Sequence, residues 1–415
     1  MIAFDRFTLK NGLKVIVHKD NATPLACVNI LYDVGARDED ENKTGFAHLF
    51  EHLMFGGSVN IPSYDEPLQR VGGENNAFTT NDITNYYLTL PAQNLETAFW
   101  LESDRMLSLA FSEKSLEVQR NVVIEEFKQR YLNQPYGDVW LLLRPLAYKV
   151  HPYKWATIGK EISHIENAVM DDVKAFFKKH YTPENAILVV SGNVETQQVK
   201  QLAEKWFEPI LSSGKPARNL PAEPEQTEYR HLRVERDVPF DALYMAFHMC
   251  DRRQDDYYGM DLISDILSRG NSARLYNRLI KGKKMFSELN AYVMGDMDKG
   301  LFVVSGKLVP GVNINDAEKE IFAELEILMH EKVSERELQK VKNKVESSHQ
   351  FGEMGIMEKA LNLAICELMG DAERLNTELE RYAKVTADDI MRLSKTVFRK
   401  SNCSSLHYCA KNKKD

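Results

Sequence analysis

The chain has 415 residues, 43% of them hydrophobic and 27% charged, and a formal net charge of −8. That length is too great for one ordinary core, so two or more domains are expected, with the composition of a soluble globular protein. The acidic balance and the lack of a long Lys/Arg block exclude a general nucleic-acid binder, and no apolar run reaches the length of a membrane span. The opening Met1-Ile2-Ala3-Phe4-Asp5-Arg6 has neither the basic nor the apolar region of a secretion signal. The five cysteines (27, 250, 366, 403 and 409) are scattered, without CxxC spacing. Both features predict a cytoplasmic protein with reduced thiols, or a periplasmic one if a leader has been removed. The basic tail Lys411-Asn412-Lys413-Lys414 is short and expected to fray.

Two strand-like runs come first, Leu13 to His18 after an Asn11-Gly12 turn, and Ala26 to Tyr32. Gly45 to Gly57 then reads as one helix of about three turns, stopped by the Gly56-Gly57 pair. Within it His48 and His52 are four apart and leave the same face, so two imidazoles on adjacent turns can hold one metal ion. Glu51 lies between them, placed to take a proton from a bound water. The order His-x-x-Glu-His is the inverzincin signature. After Asn75 to Thr80, the stretch Thr84 to Pro91 alternates polar and apolar β-formers. Residues 94–109 and 113–131 read as helices, the second with Ser112 as N-cap. A helical stretch at 138–148 leads to a loop at His151-Pro152-Tyr153, where His151 is expected to shape a turn rather than bind metal. Asp171 to His180 reads as a helix and Ala186 to Gly192 as a buried strand. Residues 211–227, rich in Pro, Ser and Glu, read as a linker. The expected domains are therefore 1–210, carrying the metal site, and 228–415.

The second domain repeats the first. Asp171-Asp172-Val173, Tyr181 and Asn185 recur as Asp388-Asp389-Ile390, Phe398 and Asn402. Ser112, Leu116 and Val123 recur as Ser334, Leu338 and Val345. Gly45, Glu51, Leu53, Gly56 and Ser58 recur as Gly259, Asp265, Leu267, Gly270 and Ser272. The spacing drifts by only a few residues, as loop insertions cause. The fold class is read as α+β, in two homologous halves. In the second half His48 and His52 become Leu262 and Ile266, so one metal ion per chain is expected.

A catalytic zinc site has three protein ligands and an open position. The helix Gln119-Arg120-Asn121-Val122-Val123-Ile124-Glu125-Glu126-Phe127 offers two carboxylates for the third. Val122 and Glu126 share a face, and Glu125 lies about 100° round. Spacing alone leaves both open.

The motifs together resemble the pitrilysin/insulinase family of zinc peptidases, on the branch with mitochondrial processing peptidase and bacterial two-domain proteases. The carrying residues are His48-Leu49-Phe50-Glu51-His52, Asn76-Ala77-Phe78-Thr79 with Thr84-Asn85-Tyr86-Tyr87, and Val122 to Glu126. His151-Pro152-Tyr153 with Thr157-Ile158-Gly159, and Tyr181 to Asn185, also fit. The resemblance covers the first half fully and the second weakly. It implies mostly antiparallel sheets packed by helices, of the LuxS/MPP-like metallohydrolase type. It also implies Zn2+ on His48, His52 and Glu126, with Val123 fixing the register, and Glu51 as catalytic base. Gln119 stands where the family usually has a supporting Glu; it can hydrogen-bond but carries no charge. Asn76, Ala77, Phe78 and Thr79 are implied as the sheet edge that a peptide substrate joins as a strand. The family commonly uses an Arg and a Tyr, seven residues apart, from a further unit. Ile280 and Ser287 stand there in this chain, with Tyr276 and Arg278 nearby. The expectation is a zinc endopeptidase that forms the metal-bearing subunit of a heterodimer, its partner supplying Arg and Tyr. The alternatives are a non-catalytic scaffold subunit of the same fold and a self-sufficient homodimer.

Overall fold

The computed structural model describes residues 1–411; the rest of the basic tail lies outside the described residues. Six strands form the first sheet: β1 (Asp5–Thr8), β2 (Lys14–Lys19), β3 (Leu25–Tyr32), β4 (Glu74–Thr79), β5 (Thr84–Pro91) and β6 (Ala186–Gly192). Five form the second: β7 (Arg230–Arg236), β8 (Ala242–His248), β9 (Phe286–Met294), β10 (Leu301–Leu308) and β11 (Cys403–Ala410). The orders are β1-β2-β6-β3-β5-β4 and β7-β11-β8-β10-β9. With β1 set aside, the two orders correspond strand for strand. Each sheet has one parallel pair at the corresponding place, β2 with β6 and β7 with β11, and its other neighbours are antiparallel. One buried amide carries the repeat down to atoms. Asn185 Nδ2 donates to the Asp33 and His180 carbonyls, at 3.2 and 2.9 Å. Asn402 Nδ2 donates to the His248 and Val397 carbonyls, at 2.9 and 2.8 Å. Two homologous α+β halves are what the sequence repeat predicts.

Packing divides the chain differently from the sequence halves. The first unit holds Met1–Gln129, Trp155–Leu220 and Gln350–Thr377; the second holds Arg130–Lys154, Pro221–His349 and Glu378 onward. The reason is where two helices bury their apolar stripes. In the second unit, helix Val139–Ala147 sets Val139, Leu143 and Ala147 against Ala246, Val303 and Leu406 of the sheet. In the first unit, helix Ile356–Leu368 sets Ala360, Leu363 and Ala364 against Ile16, Cys27, Leu31 and Val189. The single boundaries expected at 210 and 228 miss both segments.

Residues 211–227 contain neither helix nor strand. They are nevertheless tied down. In the first unit Arg218 pairs with Asp33 at 2.9 Å and Asp38 at 2.7 Å. In the second unit the Glu223 carboxylate accepts the backbone N–H groups of Lys149, Val150 and His151 at 2.8–2.9 Å. Gln226 Nε2 donates to the Cys403 carbonyl at 2.8 Å. Each part of the segment is thus bonded to its own unit.

Candidate active site

The helix that carries His48 and His52 spans Phe46–Leu53. Phe46, Ala47, Leu49, Phe50 and Leu53 are buried, while His48, Glu51 and His52 are half-buried on the remaining face. Phe50 fixes the helix through ring contacts: it stacks on Tyr181 with ring centres 4.9 Å apart and lies tilted against Phe176 at 5.1 Å. The helix is shorter than the three turns expected. After Leu53 the bonds tighten, with Phe55 N–H donating to the His52 carbonyl and Gly56 N–H to that of Leu53. Gly57, at φ +94°, then turns the chain so that Ser58 bridges to Leu109. The glycines therefore stop a loop one turn beyond the helix.

The start of this helix is capped from outside. Gly45, at φ +86°, has no side chain to cap with. Instead the Glu39 carboxylate accepts the N–H of Gly45 at 2.9 Å and of Ala47 at 2.8 Å. Burial pushes the Glu39 carboxyl up to about 8, against the pull of those two N–H groups. Sequence reading missed this residue, because Asp38-Glu39-Asp40-Glu41 looks like a solvated acidic run.

Glu126 arrives on helix Glu113–Phe127, which Ser112 caps as predicted by accepting the Ser115 N–H at 3.0 Å. Leu116, Val123, Ile124 and Phe127 bury its inner face. Glu126 Oε2 lies 3.7 Å from His48 Nε2 and 3.5 Å from His52 Nε2. Glu125 is exposed and pairs with Lys128 at 2.7 Å. The helix register thus brings together His48, His52 and Glu126, whose donor atoms all lie within 4.8 Å of one another. Among the described residues this is the group of His, Cys, Asp and Glu that could hold a metal ion. The spacing fits zinc. Bonds of 2.0–2.1 Å in a tetrahedron separate ligand atoms by about 3.3 Å, close to the two separations measured. Two imidazoles and one carboxylate leave a fourth position for water. Gln119 lies two turns before Glu126 on the same side of the helix and is half-buried.

Glu51 meets the sheet edge. The Thr79 hydroxyl donates to Glu51 Oε2 at 2.6 Å. Thr79 ends β4, the last strand of its sheet, which pairs with β5 on one side. Asn76 Oδ1 accepts the Ala77 N–H at 2.8 Å. Phe78 is half-buried and packs on the cluster formed with helix Ile356–Leu368.

Beneath the site, Arg105 is almost fully buried between the rings of Tyr64 and Tyr86, 4.6 and 4.4 Å from their centres. It forms an ion pair with Glu102 at 2.7 Å. The signal available in the sequence was an i,i+3 charge pair in helix Leu95–Leu107, on the turn after the apolar run Ala98-Phe99-Trp100-Leu101. His151 is buried in a turn, its Nδ1 accepting the Tyr153 N–H at 3.2 Å, as expected for a structural residue. In the second unit Arg278 pairs with Glu324 at 3.2 Å, and Ser287 Oγ donates to the Lys307 carbonyl at 3.2 Å. Ile280 packs against the second unit's core.

Residues 14–150 match the family described as Insulinase (Peptidase family M16), and residues 167–345 match the Peptidase M16 inactive domain. Zinc protease PqqE of Helicobacter pylori is 30% identical over 405 residues, covering 96% of this chain and 91% of that protein. The chain belongs to peptidase family M16. A crystal structure of a protease from Helicobacter pylori superposes on this M16 chain with a TM-score of 0.93 at 29% identity, covering 98% of this chain and 100% of that one. A probable mitochondrial-processing peptidase subunit beta of Arabidopsis thaliana is 25% identical over 268 residues, 64% of this chain and 50% of that protein. The inactive-domain match, residues 167–345, includes Leu262 and Ile266, which stand where the first half has histidines.

Proposed function

We propose that this M16 chain is a zinc-dependent endopeptidase acting on unfolded peptides laid along β4, and that it is the metal-bearing subunit of a heterodimer. The observation that carries the chemistry is the convergence of Glu126, from helix Glu113–Phe127, on His48 and His52, whose own helix also bears Glu51. Zinc at this donor set supplies Lewis acidity, acidifying water and polarising a carbonyl. Glu51 takes a proton from the attacking water and returns it to the leaving amine nitrogen as the C–N bond breaks. Gln119 stands where the family usually has a supporting Glu, and its amide can hydrogen-bond beside the metal shell without adding charge.

The open edge of β4 supports an extended substrate. Backbone groups of Asn76, Ala77, Phe78 and Thr79 pair with the peptide, and the Asn76 side chain yields the Ala77 N–H to it. Phe78 offers an apolar surface to a substrate side chain. The name of the Arabidopsis relative calls that protein a subunit. Here Ile280 and Ser287 occupy the positions where an Arg and a Tyr are expected, and Arg278 is already engaged by Glu324. A companion M16 chain supplying those two groups to the developing oxyanion is therefore the reading preferred. The intact donor set speaks against a scaffold role.

The test is turnover of a quenched fluorescent peptide by the zinc-loaded chain over a range of concentrations, alone and with a companion M16 chain. Slow turnover alone and faster turnover with the companion are expected, both lost in Glu51→Gln. Oxyanion donors of this kind are worth about 10²–10³-fold in rate. Robust turnover alone, abolished by Arg278→Ala, would favour the homodimer.

A further inference from the structure

Glutamate reaches its carboxylate through three torsions, so a general base at Glu51 needs something to fix which oxygen faces the substrate. A hydrogen bond from the neighbouring strand reaches it here. Thr79 Oγ1 donates to Glu51 Oε2 at 2.6 Å, a charge-assisted bond at the short end of the normal range. Thr79 is itself held firmly. It pairs with Thr84 across the last register position of β4 and β5. The turn that follows is closed by the Thr80 N–H on the Ile83 carbonyl at 2.8 Å. The Thr80 hydroxyl also accepts the N–H groups of Asp82 and Ile83 at 3.1 Å. The loop before the site helix clamps this turn, with Ala36 N–H on the Thr80 carbonyl and Arg37 N–H on that of Asn81. A β-branched residue restricts its own χ1 as well, so the hydroxyl has little freedom.

We propose that Thr79 is a positioning residue for the base. Its hydroxyl holds Oε2 of Glu51, and it does so from the strand that a peptide extends. This rests on the reading of Glu51 as base. It adds that strand pairing and base orientation share one residue, so that the carboxylate is already oriented when a peptide docks on β4.

The variants are Thr79→Val, which keeps the shape and removes the donor, and Thr79→Ser, which keeps the donor. Each is zinc-loaded, checked for metal content, assayed in the assembly that turns over peptide, and crystallised. Thr79→Val is expected to keep its zinc and lower kcat about ten- to hundred-fold with KM little changed, the size of effect that misplacing a reacting group produces. Thr79→Ser is expected to stay near wild type. In the crystals Glu51 should leave the Thr79 side in the Val variant and remain in the Ser variant. An unchanged Glu51 rotamer in Thr79→Val overturns the proposal, as does unchanged kcat, a change in KM alone, or loss of zinc. Glu51→Gln run alongside separates the two readings: if it turns over peptide like wild type, the base assignment fails whatever Thr79 does.

Discussion

At the scale of single residues, the site depends on charges placed where water cannot reach them. Arg105 and Glu102 are both buried, and their ion pair sits between Tyr64, Phe55 and Tyr86. Phe55 follows the site helix and Tyr86 belongs to β5, so Arg105 fastens the helix exit to the sheet. Removing one partner of a buried pair strands the other charge, at about 3–5 kcal/mol. Arg105→Ala should therefore lower stability by roughly that much in urea unfolding, and Glu102→Ala added to it should restore part of the loss. A double variant as unstable as the sum of the singles would show that the pair acts independently of its charges. His48, Glu51 and His52 were legible in the sequence because one motif fixes their spacing. Arg105 was harder to see, since its partners come from three separate segments. Glu125 and Glu126 could not be separated by spacing, because the face each occupies depends on how Val123 and Ile124 pack.

At the scale of elements, the site helix is defined by its ends. Its start relies on the Glu39 carboxylate, whose ordinary value of 4.5 burial raises to about 8. In the metal-free protein the folded state therefore binds this proton more tightly than the unfolded state does. Stability from this group is full below about pH 4.5 and is lost as pH rises towards 8. His180 and His248, which burial pushes down to about 4, act the other way, contributing above their ordinary value of 6.5 and losing that contribution as pH falls. Glu39→Gln isolates the first effect. The difference in unfolding free energy between wild type and Glu39→Gln should shrink steadily from pH 5 to 8 in wild type's disfavour; a difference independent of pH would place the Glu39 proton elsewhere. Strands and helices were largely legible from period and capping residues, Ser112 among them. The site helix was drawn a turn too long because Gly56-Gly57 signals a stop without saying whether it ends a helix or the loop after it.

At the scale of the whole molecule, the repeat was legible as residues recurring in order, and it holds in strand order and in the paired roles of Asn185 and Asn402. The exchange of helices Val139–Ala147 and Ile356–Leu368 between units was not legible, because an amphipathic stripe does not declare which sheet will cover it. On the proposed reading the copy holds no metal, since Leu262 and Ile266 stand there in place of His48 and His52. The most direct measurement is zinc per chain in purified wild type, Glu51→Gln, Glu125→Ala and Glu126→Ala. The account predicts about one zinc in the first three and far less in Glu126→Ala. Zinc retained in Glu126→Ala but lost in Glu125→Ala, or no zinc in wild type, would contradict it.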